Sequence, residues 1–155
     1  MHYIIEGLDP APFRPLFALG DETLVEQGIV RVVADAAPGY PCRITLKEAQ
    51  PGETLLLLNH ESRGGDTPYR ARHAIFVRER AQRAASMIDR VPEVFEPRQL
   101  SLRGFDPAGM MVDAAIAQPG EADALLRGLF EDPRIVEIDV HNAIRGCFAA
   151  RARKV

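Results

Sequence analysis

The run Thr54-Leu55-Leu56-Leu57-Leu58-Asn59 constrains the fold more than any other segment of the chain. Pro51-Gly52 marks a turn before it and polar residues follow it, so the run is too short for a helix and reads as a strand. A strand without a polar face must be covered on both sides, which demands a layered structure. A chain of 155 residues suffices for that. It predicts one domain over residues 1–155, able to bury about two-thirds of its unfolded surface.

The remaining segments are short. Tyr3–Glu6 reads as an edge strand, and Pro10, Pro12 and Pro15 allow no more than one apolar turn after it. Asp21 is a fitting N-cap for a helix through Gln27, with Gly28 as its stop. Ile29–Ala34 is a β-rich run. Thr45-Leu46-Lys47-Glu48 has the form of a capping box and predicts a short helix. Residues 60–71 read as a polar, glycine-containing loop, and His73–Arg78 as the strand that follows. In Glu79–Arg90, Ala81, Ala84, Ala85 and Ile88 recur at helical spacing. Gln99–Phe105 and Met110–Ile116 flank Asp106-Pro107-Ala108-Gly109 as a β-hairpin. Glu121–Phe130 carries the clearest helical periodicity. Ile135–Val140 and Cys147–Arg151 close the chain as two strands. In the first of these, Glu137, Asp139 and His141 face one way while Val136, Ile138 and Val140 face the other, giving either a wet face or a wall of a polar cleft. The expected class is α+β: a mixed, mostly antiparallel sheet of about eight strands, with three to four short helices.

Charge excludes some functions. The net charge is −3 and tryptophan is absent, which argues against nucleic-acid binding. Residues 63–103 nevertheless carry nine arginines against five acids, a local excess of the kind an anion site uses. The longest apolar run falls far short of the roughly 20 residues that span a bilayer. The N-terminus lacks the basic start of a signal peptide. The expected location is the cytoplasm, with no membrane partner. In a reducing compartment Cys42 and Cys147 are expected as thiols.

No phosphate loop, zinc-protease helix, nucleophile elbow or Cys-x-x-Cys pair occurs, and no cofactor is indicated. The polar residues that stand out lie at the ends of apolar strands, where rigid scaffolds display functional groups. Arg43, Asn59, Arg70 and Asn142 are the candidate ligand-binding residues, since arginine forks and carboxamides suit carboxylate or phosphate. His73, His141 and Asp113 are the candidate acid–base groups. Cys42 and Cys147 are the candidate thiols; no spacing supports a metal site. Each has a structural alternative: asparagine bonds loop backbone, a strand-edge histidine is commonly structural, and Asp113 fits an exposed sheet face.

Five stretches together resemble a bacterial family catalogued as domain of unknown function 1203. They are Pro12–Phe17; Gly39-Tyr40-Pro41-Cys42-Arg43; Gly52–Asn59; Pro68-Tyr69-Arg70 with His73–Arg78; and Gly109–Asp113 with His141-Asn142-Ala143 and Gly146-Cys147. The resemblance implies a stand-alone, single-domain bacterial protein and supplies no activity. His60 stands where that family has an aromatic, which removes it from the candidate site.

The reading favoured by the residues is a domain that binds a small anionic molecule, with His73 or His141 as the acid or base if it is an enzyme. Two alternatives stand beside it. One is a non-catalytic interaction or structural module, with a homodimer as one form of it, since strand edges need covering or pairing. The other is a scattered site of Cys42, Cys147, His73 and His141 holding a metal or working as a thiol, in which an arginine beside the sulfur raises its reactivity. If one site exists, Cys42-Arg43, Asn59, Arg70, His73, His141-Asn142 and Cys147 should converge.

Overall fold

The computed structural model describes all residues, 1–155. Nine strands form two antiparallel sheets. The larger has the order β5-β1-β9-β8-β6-β7, built from Ser86–Ile88, Tyr3–Glu6, Phe148–Lys154, Glu137–Asn142, Leu100–Phe105 and Met111–Ala117. The smaller is β2-β3-β4, from Val30–Val33, Thr54–Arg63 and Ala71–Arg78. Three helices, α1 (Arg14–Phe17), α2 (Asp21–Glu26) and α3 (Ala122–Phe130), complete the α+β fold. The expected single mixed sheet of about eight strands is thus two sheets with nine.

The two faces of the large sheet differ. One face carries Ile5, Leu100, Leu102, Ile138, Val140 and Ala152, and packs against Ala122, Leu126, Leu129 and Phe130 of α3. Burying each Leu or Ile of this kind stabilises by about 1.5–3 kcal/mol. The opposite face carries Arg103, Asp139, His141 and Arg151, and the far end of the β3–β4 hairpin lies over it. The apolar run of β3 does have two covered faces: Leu56 and Leu58 join Phe13, Leu24 and Ile44 in a second core, while Leu55 meets Ala34 and Ala49.

Four sequence expectations fail, each for a physical reason. Thr45–Glu48 forms a turn, because Glu48 does not cap it. Its Oε2 accepts instead from the backbone N–H groups of Gly39 and Tyr40, at 3.1 and 3.0 Å, and its other oxygen from Arg98. Leu46 takes φ 53° within that turn, and its side chain reaches the first core while Ile44 enters the second. Glu79–Arg90 is not a helix: an alanine stripe buries too little area to hold one. Ser86–Ile88 instead pairs with β1, so Tyr3–Glu6 lies inside the sheet between β5 and β9, not at its edge. The loop expected over residues 60–71 shrinks to residues 64–70, because the hairpin continues to Arg63.

Candidate functional site

The turn between β8 and β9 organises the site. Gly146 at φ 79° supplies the left-handed residue that reverses the chain. Asn142 donates its N–H to the Cys147 carbonyl at 2.9 Å, and Gly146 donates to the Asn142 carbonyl at 2.7 Å. Cys147 is left half-buried just before β9.

Arg43 reaches this turn from a distant segment. Its backbone is anchored by the N–H bond to Phe76 and by the N–H of Leu8 on its carbonyl, and its side chain runs inward, 3% exposed. Nε donates to the Phe148 carbonyl at 2.8 Å and one terminal nitrogen to the Pro41 carbonyl at 2.6 Å. The other donates to Cys147 Sγ at 3.1 Å. Asn142 Nδ2 donates to the same sulfur at 3.3 Å. No carboxylate pairs with Arg43. Burial lowers the guanidinium below its ordinary value, and nearby Cys147 opposes the shift. Arginine titrates so high that it stays charged. Two donors, one cationic, therefore converge on one sulfur.

The histidines adjoin this turn. His141 is 2% exposed; burial pushes its imidazole from 6.5 down to about 4. Its Nδ1 lies 3.0 Å from the Gly146 carbonyl, so Nδ1 carries the proton and Nε2 the lone pair. The His73 ring centroid is 4.9 Å away and His73 Nε2 is buried without a partner. Burial, with Arg103 nearby, lowers His73 as well. His60, set aside on the sequence, lies between Phe13 and Phe148 with tilted rings, centroids at 6.1 and 6.4 Å.

Beside the histidines lies an ion cluster that sequence reasoning missed. Arg63 grips Asp139 with two nitrogens, at 2.7 and 3.1 Å, and reaches Glu137 at 3.1 Å. Arg151 donates to Asp139 at 2.6 Å and to the Ser62 carbonyl at 2.6 Å. Burial pushes the Asp139 carboxyl up, but the hydrogen bonds from Arg63 and Arg151 outweigh it and hold the group below its usual range. The alternation Glu137-x-Asp139-x-His141 was the available signal. It marks neither a wet face nor an open cleft wall: Asp139 and His141 are buried between the sheets. Arg63 escaped because it sat in the expected loop.

Arg43, Asn142 and Cys147 thus come into direct contact, and His73 meets His141. Asn59 is exposed and accepts from Arg72 Nε at 2.6 Å, outside that contact. Arg70 is exposed in the hairpin loop, and Asp113 is exposed on β7 with its carboxylate on the Ala114 N–H at 2.8 Å. Cys42 is buried, its sulfur accepting from the N–H groups of Ile44 and Arg78 at 3.4 Å each. No three His, Cys, Asp or Glu side chains group so as to hold a metal ion, so Cys42, Cys147, His73 and His141 are not one ligand set. No helix is long and apolar enough to cross a membrane.

Residues 39–154 match the family described as protein of unknown function, DUF1203, and the chain belongs to that family. No curated protein and no solved structure matches the chain significantly.

Proposed function

We propose that this member of the DUF1203 family acts on a small anionic molecule through the Cys147 thiol. Arg43 and Asn142 hold the sulfur, and Arg43 supplies the positive charge that favours an anion. The observation that carries the reading is the buried Arg43 with no carboxylate partner, donating at 3.1 Å to a sulfur that Asn142 also contacts. A buried cation is ordinarily paired with a carboxylate. Here a half-buried sulfur takes that place. The cavity beside Arg43, lined by Pro41, Cys42, Asn142 and Ala149, measures about 10 Å³, room for one water. The molecule acted on therefore meets Cys147 from its exposed side.

Alkylation by iodoacetamide, followed by intact mass, tests this. Cys147 should be labelled in the folded protein and Cys42 only after denaturation. Equal, denaturant-dependent labelling of both would sink the reading.

A second reading, a homodimer, is favoured by β2, which leaves Val30 and Val33 exposed at the outer edge of the small sheet. A monomer mass by light scattering across micromolar concentrations removes it.

A further inference from the structure

The two segments that fail to form helices enclose a groove. Thr45 and Lys47 come from one; Arg78, Arg83, Ala85, Ser86 and Met87 form the other wall, and the volume is about 350 Å³. Small-molecule sites begin at about 300 Å³. The walls are held rigidly: Ala85 donates its N–H to the Ile44 carbonyl at 2.8 Å, and Gly7 donates to the Ala85 carbonyl at 2.9 Å. Gly7 lies so close to the Ile44 carbonyl that no side chain fits there.

Its charges are unequal in kind. Arg78 is committed: it forks onto buried Glu53 at 2.7–2.9 Å and donates to Thr45 Oγ1 at 3.2 Å. Lys47 and Arg83 have no carboxylate partner, and no acid lines the groove. Two unpaired cations, together with the hydroxyls of Thr45 and Ser86 in the same lining, offer more donors than a carboxylate needs. They suit the charge and the three free oxygens of a phosphate monoester. Ala85 and Met87 give the organic part an apolar surface.

We propose that this groove binds the phosphate of a small phosphorylated organic molecule, with Lys47 and Arg83 as its charge partners. The site is separate from Cys147 and does not depend on its reactivity. Calorimetric titration of the full chain with ribose 5-phosphate, ribose and inorganic phosphate tests it. Ribose 5-phosphate should bind, inorganic phosphate more weakly, and ribose not at all. Lys47→Glu and Arg83→Glu replace exposed side chains, so folding is spared. Each should weaken binding by at least about tenfold, the equivalent of 1.4 kcal/mol. Arg145→Glu, the same charge change at an exposed position outside the groove, should leave affinity within about twofold, a fraction of that energy. The proposal is overturned by no binding at low salt, by affinity insensitive to both groove variants, by equal loss in Arg145→Glu, or by inorganic phosphate binding as tightly as the sugar phosphate.

Discussion

The protein buries arginine in two places and treats the charge differently in each. Between the sheets, Arg63 and the half-buried Arg151 meet Asp139, so positive and negative groups neutralise one another. At the β8–β9 turn, Arg43 is as buried as Arg63 but has only two carbonyls and a sulfur. The first arrangement is complete: every oxygen of Asp139 is used, and nothing is left for a ligand. The second leaves Arg43 without a carboxylate, beside the half-buried Cys147. The contrast separates a cluster that joins two sheets from the one to which we assign chemistry.

Asp139→Asn should produce the largest effect. It removes the charge that Arg63 grips with two nitrogens and that Arg151 shares, leaving Arg63 only Glu137 at 3.1 Å, a loss of about 3–5 kcal/mol. Urea unfolding would check it, and a change under about 1 kcal/mol would erase the distinction, since surface pairs give no more than that.

Acid should act next, through His141. Its imidazole titrates at 6.5 when unfolded and at about 4 when folded. Between those values the unfolded chain binds a proton that the folded chain does not, so stability falls as pH drops from about 7 to 4. The gap is worth about 3 kcal/mol at 1.36 kcal/mol per pH unit. His73 and His60 are lowered too and add in the same direction. Thermal unfolding across that range should show the decline, and His141→Gln should flatten it. Equal slopes in both proteins would contradict the burial of His141.

Arg43→Met sharpens the comparison from the other side. It strands the Phe148 and Pro41 carbonyls and should cost about 1–3 kcal/mol, less than Asp139→Asn. It should also slow alkylation of Cys147, an effect a purely structural arginine would not have. Cys147→Ala is the smallest change: unfolding should move by under about 1 kcal/mol, since the sulfur is half-buried. Labelling of the folded protein should disappear. A large destabilisation would make the sulfur a structural partner of Arg43 and remove the difference between the regions.

Sequence reading succeeded where hydrophobic pattern decides. Leu55–Leu58, the alternation around Ile138 and Val140, the hairpin at Asp106–Gly109 and the α3 stripe all emerge with boundaries near those observed. It failed where the pattern was weak or the partner distant. Thr45–Glu48 satisfied a local capping rule, but Glu48 found three donors elsewhere. The alanines of residues 79–90 had too little surface to decide their own conformation. Arg43, Asn142 and Cys147 were all picked out, because each sits where a turn meets an apolar strand. Their mutual contact depends on a separation of 104 residues that no local signal carries. The contacts of Arg63 and Arg151 with Asp139 were invisible for the same reason, as was the groove, which lies between two segments that do not form the expected helices.

The pairing of β1 with β9 has a consequence for the order of assembly. It joins Tyr3–Glu6 to Arg151–Lys154, across nearly the full length of the chain. The small sheet needs only residues 30–78, and its central hairpin closes over a short loop. Pairings distant in sequence form slowly, because a long loop must close before any contact rewards it. Loop-closure entropy therefore favours β2-β3-β4 forming before β1 pairs with β9. In that order Arg63 and Ser62, on the hairpin of the small sheet, would offer Asp139 and Arg151 a preformed surface to dock on.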